Sequence, residues 1–396
     1  MRYLIRPEWL FDSRAGELLA NTVVLTEGQR IVSVESDRGL SAGDAQVVEA
    51  AGCTLLPGLI DAHVHLCMDA RDTPAQRPVN PAELAIRGVA GAQATVRGGV
   101  TTVRCVGTPS NVDLILRDAV AQDRIIGPRI IGAGRTIAIT GGHGYPMALE
   151  SDGIDAVIAS VRTQIKAGAD VIKLMVTGGV LTPGGRPGTP QMLPEEIEAA
   201  VRVAHRGNRR VCGHAEGPEG VRDAIVAGID SIEHGYFVDQ DPLFARMQAN
   251  PTWLVPTLVA YAAILEGRDQ LPAEAVANAE LAIERHRESF RYALAAGVSV
   301  AMGSDAGTPC NPHGENWREA THMIDQGMRP AAALQAATIE AAALLGLEDI
   351  GVIEAGKSAD LLLVEGLPVD DISRLGAVRD VWARGRRIST VESYVT

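Results

Sequence analysis

The chain contains few cysteines, and their spacing argues against two kinds of site. They are Cys53, Cys67, Cys105, Cys212 and Cys310. Their number is odd, they are widely scattered and no Cys-x-x-Cys pair occurs, so the sequence indicates neither a disulfide framework nor a thiolate zinc site. We expect them to be small buried hydrophobic side chains.

Basic residues and long apolar runs are also scarce. The chain has 36 Lys and Arg against 49 Asp and Glu, which gives a formal net charge of −13 at pH 7. No basic patch stands out that could neutralise phosphates, so we expect no nucleic-acid partner and no membrane partner. No stretch approaches ~18 consecutive apolar residues, and the N-terminal segment lacks the apolar core of a signal peptide. We therefore expect a cytoplasmic protein.

Length and apolar content are what the chain does have. Its 396 residues are 46% hydrophobic and 21% charged, which permits a large buried core and argues against disorder. A plain (β/α)8 barrel needs only about 250 residues. The remaining length leaves room for a second, smaller unit.

The first chemical motif is a pair of histidines at the end of an apolar strand. His63 and His65 are separated by one residue, and alternate side chains of a strand point to the same face. Both imidazoles could therefore meet one divalent metal at the roughly 2.0–2.1 Å of a zinc–nitrogen bond. Taken alone, the motif more often marks two hydrogen-bonded strand histidines than a metal site.

Further polar residues end other short apolar runs, one residue to each run. They are Lys173, His214, His234 and Asp305. Most of these runs are followed by a helix-like stretch, which is typical of repeated βα units. In a (β/α)8 barrel the reactive groups lie at the carboxyl ends of different strands, so we expect these side chains to converge.

We predict an α/β fold, a (β/α)8 TIM barrel with a small β-sandwich formed from both termini. Short β runs separated by turn residues occupy residues 1–54 and recur over 352–396, and the barrel would occupy 55–351. A helix over 194–206 would cover the outside of the barrel, since Ile197, Val201 and Ala204 form an apolar stripe. The barrel strands are expected near 56–66, 100–106, 128–133, 170–176, 209–214, 229–234, 253–257 and 298–305.

Seven ordered blocks carry a resemblance to a known family. They are PGLIDAHVH (57–65), GVTTVR (99–104), VIKLMVTGGV (171–180), GHAEG (213–217), SIEHGY (231–236), GSDAGT (303–308) and GKSADL (356–361). The chain resembles the amidohydrolase superfamily, in the binuclear-metal branch of Xaa-Pro dipeptidase-like (prolidase-like) enzymes, arginine and lysine carboxypeptidases and ochratoxinase. One departure is Cys105, where the family pattern usually has Asp. That departure puts a polar contact near the second strand in doubt.

The resemblance implies two divalent metal ions, with zinc expected. His63, His65 and Asp305 would hold one ion, His214 and His234 the other, and Lys173, carboxylated by CO2, would bridge both. Cys212 lies on the same strand face as His214, and a weak ligand role for it stays open. A bridging water would be the nucleophile, because metal binding lowers the pKa of water to roughly 7. Asp305 would accept its proton and deliver that proton to the leaving amine.

Substrate contacts are expected from two loop residues. His143 and Tyr236 match positions that contact the substrate α-carboxylate in the dipeptidase-like branch. The loop 177–191 is rich in Gly and Pro and forms a plausible lid, in which Arg186 is expected to be solvated rather than bound to a substrate anion.

Two glutamates near the histidines have other expected roles. The mononuclear deaminases of the superfamily use a glutamate near position 216 as a proton shuttle. Lys173 argues against that branch, so Glu216 is expected on an exposed loop. Glu233 points away from the face of His234 and is expected to be structural.

The sequence therefore predicts a metal-dependent hydrolase that cleaves the amide bond of a dipeptide or N-acyl amino acid. An ochratoxinase-like xenobiotic amide is included in this class, and a carbamate, urea or lactone substrate is an alternative. A non-catalytic assembly protein like the dihydropyrimidinase-related proteins is a second alternative. All six ligand positions are filled, which argues for the enzyme. A homo-oligomer is expected by analogy.

Overall fold

The computed structural model describes residues 1–37, 41–72, 80–182, 186–236 and 243–388. Strands and helices alternate through most of this chain. The strands are β1 (Arg2–Asp12), β2 (Glu17–Ala20), β3 (Thr22–Glu27), β4 (Arg30–Ser36), β5 (Gln46–Pro57), β6 (Leu59–Val64), β7 (Val100–Cys105), β8 (Arg129–Gly132), β9 (Thr136–Ala138), β10 (Ala148–Glu150), β11 (Val171–Met175), β12 (Arg210–Ala215), β13 (Ser231–His234), β14 (Trp253–Val255), β15 (Leu361–Glu365), β16 (Val378–Ala383) and β17 (Arg386–Ile388).

The helices lie mainly in the middle of the chain. They are α1 (Pro81–Arg97), α2 (Val112–Ala121), α3 (Ile154–Ala167), α4 (Pro194–Arg206), α5 (Pro218–Val226), α6 (Leu243–Ala249), α7 (Leu258–Glu266), α8 (Ala273–Ala295), α9 (Arg318–Asp325), α10 (Pro330–Ala336) and α11 (Ile339–Leu345). The helix predicted over 194–206 is confirmed by α4, and its predicted stripe of Ile197, Val201 and Ala204 is buried.

Both ends of the chain contribute to one eight-stranded sheet. Its order is β17-β16-β15-β5-β1-β3-β4, with β2 paired to β1. Strand alternation divides β15 between two cores: Leu361 and Leu363 pack with Trp382, whereas Leu362 and Val364 join the main core. The sheet therefore has its own apolar layer and also packs on the rest of the molecule. The predicted domain boundary at residue 54 lies inside β5 and stays a prediction.

Two parallel sheets carry the chemical motifs. One has the order β6-β7-β8 and the other the order β10-β9-β11-β12-β13-β14. Every residue of β6, β7, β11 and β13 is buried, as expected for parallel strands covered on both faces. Because the strands run parallel, their carboxyl ends lie at one edge. The result is a TIM-barrel-like α/β fold.

The strand predicted over 298–305 is wrong as a continuous element. Val300 and Ala306 instead form isolated parallel bridges to Leu254 of β14 and Val64 of β6. The left-handed φ of 58° at Asp305 marks the end of this segment. The segment nevertheless lies between these two strands. The sequence also missed β9 and β10.

No helix among the described ranges is both long enough and apolar enough to cross a membrane.

Candidate metal centre

The first cluster consists of His63, His65 and Asp305. His63 belongs to β6 and His65 follows it directly, so alternation brings both rings to one side, with centroids 5.6 Å apart. Oδ1 of Asp305 lies 3.4 Å from Nε2 of His63 and 3.4 Å from Nε2 of His65. The structure thus brings together the three residues that the sequence analysis grouped around one ion.

The second cluster consists of His214, Glu216 and His234, which end or follow β12 and β13. The rings of His214 and His234 are 4.6 Å apart, and Nε2 of His214 lies 3.9 Å from Oε1 of Glu216. The ring of His63 is 5.0 Å from that of His234, so the two clusters adjoin. Glu216 is only 2% exposed, so its expected position on an exposed loop is wrong.

Two of the candidate ligands have an unusual backbone conformation. His234 has a φ of 67° and Asp305 a φ of 58°, in the left-handed region that non-glycine residues rarely adopt. Both residues lie where the chain leaves a strand position and turns. Such conformations persist where the surroundings over-determine them, and they are common at functional sites.

Lys173 is buried in β11 and is 2% exposed. Its Nζ has no hydrogen-bond partner among the described residues, and Oδ1 of Asp305 and Oε2 of Glu216 also lack one. Burial lowers the pKa of Lys173 below its usual value. A cluster of buried polar atoms without partners is costly in a folded protein unless a bound group satisfies them.

A charged network that the sequence analysis did not find orients the first cluster. Nδ1 of His63 donates to Oε2 of Glu233 at 2.7 Å, and Nη2 of Arg104 donates to Oε1 of the same carboxylate at 2.7 Å. Burial raises the pKa of Glu233, but Arg104 and His63 outweigh burial and hold it at about 2. Glu233 is therefore an ionised acceptor, and its role is to orient His63. The signal for Arg104 was a cation in an otherwise apolar strand, which requires a buried anion nearby.

Asp61 connects the strand that carries the histidines to the segment that carries Asp305. Its Oδ1 accepts from the backbone N–H groups of His63 and Ser304, both at 3.0 Å. Its Oδ2 accepts from the Ser304 hydroxyl and from Nδ2 of Asn316 at 2.8 Å. These bonds fix the spacing between the two parts of the first cluster.

Neutral hydrogen bonds orient two more histidines. Nδ1 of His65 lies 3.1 Å from the carbonyl of Gly107, and Nδ1 of His234 lies 2.7 Å from Oγ1 of Thr257. Because the Thr257 hydroxyl donates to the carbonyl of Pro256 at 2.7 Å, it must accept from His234. In both histidines the proton is thus on Nδ1, which leaves the lone pair of Nε2 for a metal.

Burial also shifts the ionisation of the second cluster. Desolvation lowers the pKa of His214 and of His234 well below the usual histidine range. Burial raises the pKa of Glu216 to about 8, although the Tyr261 hydroxyl donates to Oε1 and opposes the shift. Neutral imidazoles are the form that binds metals.

The two clusters line a cavity together with His143, Met68, Met147, Tyr261 and other residues. Nδ1 of His143 lies 2.7 Å from Oγ1 of Thr182, and its ring is 4.3 Å from that of His214. Gly179 makes this approach possible, since a Cβ there would lie 2.6 Å from Nε2 of His143. The cavity therefore includes one of the two residues predicted to contact substrate.

Tyr236, the other predicted contact, does not line this cavity. It is 7% exposed and packs with Val180 and Tyr261. Arg186 is exposed, as the sequence analysis expected. The predicted lid over 177–191 includes residues 183–185, which lie outside the described residues.

Comparisons with known proteins agree with this geometry. The amidohydrolase family model matches residues 54–388. Ochratoxinase of Aspergillus niger is 27% identical over 407 aligned positions, covering 94% of this chain and 83% of that protein. Imidazolonepropionase of Symbiobacterium thermophilum is 26% identical, covering 95% of this chain and 93% of the relative. A crystal structure of a Xaa-Pro dipeptidase with methionine bound in its active site superposes with a TM-score of 0.90 at 36% identity, covering 98% of this chain and 100% of that one.

Proposed function

The chain belongs to the amidohydrolase family and is a hydrolase, and on that premise we propose that it cleaves the amide bond of a dipeptide or an N-acyl amino acid. We propose two divalent ions, zinc in the native protein, as its cofactor. The two clusters of candidate ligands argue against the alternative of a non-catalytic assembly protein, which would lack them. The observation that carries the proposal is the pair of adjoining clusters around the buried amine of Lys173.

The residues present fit such ions. Ligands about 2.0–2.1 Å from a tetrahedral zinc lie roughly 3.4 Å from one another. The two separations between Asp305 and the first-cluster histidines are 3.4 Å and 3.4 Å. His63, His65 and Asp305 would hold one ion, and His214 and His234 would hold the other. Buried acceptors without donors, such as Oδ1 of Asp305, point to the same conclusion.

Lys173 would connect the two clusters as a carboxylated side chain. Its amine has no hydrogen-bond partner among the described residues, and burial lowers its pKa toward the neutral form that adds to CO2. The addition releases one proton and converts the amine into a carbamate anion with two oxygens. An anion at this position suits a centre that holds two divalent cations better than the protonated amine does.

Divalent ions bound there would polarise the scissile carbonyl and lower the pKa of an attacking water. The proton of that water would move to the Asp305 carboxylate and later to the leaving nitrogen. Burial raises the pKa of Asp305, but His63 and His65 outweigh burial and lower it, so the carboxylate is ionised and ready to accept. The buried surroundings of the clusters exclude bulk water from this transfer.

Two residues are proposed to select the substrate. His143 lines the cavity beside His214, where it could contact the α-carboxylate of the leaving amino acid. Tyr236 is proposed for the same contact, since it packs with Val180 and Tyr261, which line the cavity. The names of two relatives support an amino-acid leaving group, since one is a Xaa-Pro dipeptidase that holds methionine and the other is an ochratoxinase.

The test is a substrate screen on the metal-loaded protein. Dipeptides, N-acyl amino acids and ochratoxin-type amides would be scored by release of free amino acid, with carbamates, ureas and lactones as comparison substrates. We expect amides with a free α-carboxylate to be hydrolysed fastest, and close to two metal ions per chain by elemental analysis. Turnover confined to carbamates, ureas or lactones would contradict the proposal.

We also propose that the two parallel sheets close into a complete barrel and that the protein is a homo-oligomer. Residues 298–306 would close the barrel between β14 and β6 through isolated bridges of Val300 and Ala306, without forming a continuous strand. The backbone N–H of Asp170 donates to Gly132 at 2.8 Å and would join β8 to β11. Light scattering would measure the oligomeric state in solution.

A further inference from the structure

Glu216 is a buried acid for which the two-ion centre has no assigned use. Its side chain lines the cavity, and the Tyr261 hydroxyl donates to Oε1. Oε2 has no hydrogen-bond partner among the described residues. Leaving a buried carboxyl oxygen without a donor costs stability, so a donor supplied by a ligand would be favourable.

The position of Glu216 restricts what that donor can be. Asp305 and Glu216 are the two acidic residues in the described cavity wall, and Asp305 is committed to the first cluster. Glu216 Oε1 lies 3.9 Å from Nε2 of His214, so its carboxyl group lies close to the reaction centre. In a dipeptide the α-nitrogen is only about 2.5 Å from the scissile carbonyl carbon, by standard bond lengths and angles. A group that binds this nitrogen must therefore lie close to the candidate ligands, as Glu216 does.

We infer that Glu216 binds the α-ammonium group of the substrate's N-terminal residue, so that the enzyme prefers dipeptides to N-acyl amino acids. The inference rests on the proposed amide hydrolysis and names its substrate class more narrowly. Tyr261 is the positioning residue, because its hydroxyl holds one carboxyl oxygen and leaves the other for the ammonium. The positive charge of the bound ammonium would offset the burial that disfavours the ionised carboxylate. The apolar part of the wall, such as Val180 and Ile264, offers no competing acceptor for a cation.

Matched substrates isolate the ammonium group. Alanyl-leucine and N-propionyl-leucine differ only in the α-amino group, and the same pairing can be made with whichever leaving amino acid the screen favours. We expect wild-type kcat/KM to be at least about tenfold higher for the dipeptide, as a charge-assisted hydrogen bond implies. Glu216→Gln should lower kcat/KM for the dipeptide about 10- to 100-fold and change that for the propionyl compound less than about threefold.

Two further variants and a measurement of metal content complete the test. Tyr261→Phe should shift the same ratio in the same direction by a smaller factor. Glu219→Gln removes an exposed carboxylate three residues away and should leave both substrates unchanged. Metal content of each variant is measured by elemental analysis, and we expect close to two ions in all of them.

Each other outcome overturns a specific statement. Equal losses for both substrates in Glu216→Gln would show that Glu216 does not bind the ammonium. Loss of an ion from that variant would make Glu216 a metal ligand instead. A wild type that hydrolyses the propionyl compound as fast as the dipeptide overturns this inference alone. A wild type that hydrolyses neither compound, nor any amide, overturns the proposed function and this inference with it.

Discussion

The two clusters of the centre are held in different ways. In the first cluster, His63 is bonded to an ionised carboxylate, Glu233, which is itself paired with Arg104. In the second, His234 is bonded to the neutral hydroxyl of Thr257, and His214 lies 3.4 Å from the carbonyl of Gly178. Charge-assisted hydrogen bonds are roughly twice as strong as neutral ones. The first cluster should therefore be the more rigid and the tighter metal site.

The residues around the two clusters also indicate that the first is held more rigidly than the second. Asp61 connects His63 to Ser304, so the first cluster is fixed between adjacent elements of the buried framework. The second cluster is contacted by α7 through Tyr261 and adjoins the loop over 177–191. The two residues proposed to contact substrate, His143 and Glu216, both lie beside His214 of the second cluster. Binding selectivity and metal retention are thus assigned to opposite sides of one cavity.

The largest expected effect comes from Asp305, which belongs to the first cluster and is the proposed proton carrier. Asp305→Asn should lower kcat by about 10²- to 10⁴-fold, the usual contribution of a general acid–base group. Steady-state kinetics on the metal-loaded variant would measure this effect. The fold should persist, because the amide has nearly the same shape.

The control is Asp325→Asn, which removes an exposed carboxylate from α9 and should leave kcat unchanged. A thermal melt would show whether Asp305→Asn remains folded. A loss of less than about tenfold would mean that another group takes the proton. It would also remove the functional distinction between the clusters.

The second prediction concerns the charged network behind the first cluster. Glu233→Gln keeps an oxygen acceptor for His63 but removes the negative charge that Arg104 and His63 share. We expect the affinity of one ion to fall about 10- to 100-fold, as is typical when the partner of a metal-binding histidine is changed. Competition with a fluorescent chelator would measure both affinities separately.

Glu365→Gln is the matched control, since that carboxylate is exposed at the end of β15. A variant in which both ions weaken equally would show that the two clusters are not held independently. A variant that binds both ions normally would contradict the role given to Glu233. Stability should be compared at saturating metal, because Arg104 loses its buried counter-charge.

The hydrogen bonds of Glu233 to Arg104 and His63 also show what could not be predicted from the sequence. Strand alternation brought His63 and His65 together, and the strand-end rule placed His234 at the end of β13, because both depend on local geometry. Lys173, expected at the end of its strand, lies in the middle of β11. The bond between Arg104 and Glu233 joins residues 129 positions apart, and no local pattern encodes that distance. Glu233 was interpreted as structural, but the face it occupies meets His63.

Two other differences have similar physical causes. Residues 298–305 read as a regular strand, but they form only isolated bridges to β14 and β6, and the left-handed φ at Asp305 ends the segment. Glu216 was expected on a loop surface because the sequence does not show that α7 covers it and brings Tyr261 into contact.

The third prediction compares the clusters directly by removing metal. Dialysis against increasing chelator should release the ions in two steps, with affinities that differ at least about tenfold, as expected for charged against neutral support. The second cluster should empty first, and activity should disappear with that first ion. Release of both ions in a single step would contradict the comparison.

The smallest expected effect comes from the neutral support of the second cluster. Thr257→Val keeps the size of the side chain and removes the hydroxyl that accepts from His234 at 2.7 Å. A neutral hydrogen bond contributes about 0.5–1.5 kcal/mol, so the affinity of the second ion should fall about 2- to 12-fold. The first ion should be unaffected, because within the described residues the Thr257 hydroxyl bonds to His234 and to the Pro256 carbonyl, and to neither His63 nor Asp305. The same chelator competition measures both values. A loss as large as that of Glu233→Gln would show that the charge on the supporting group is not what separates the two clusters.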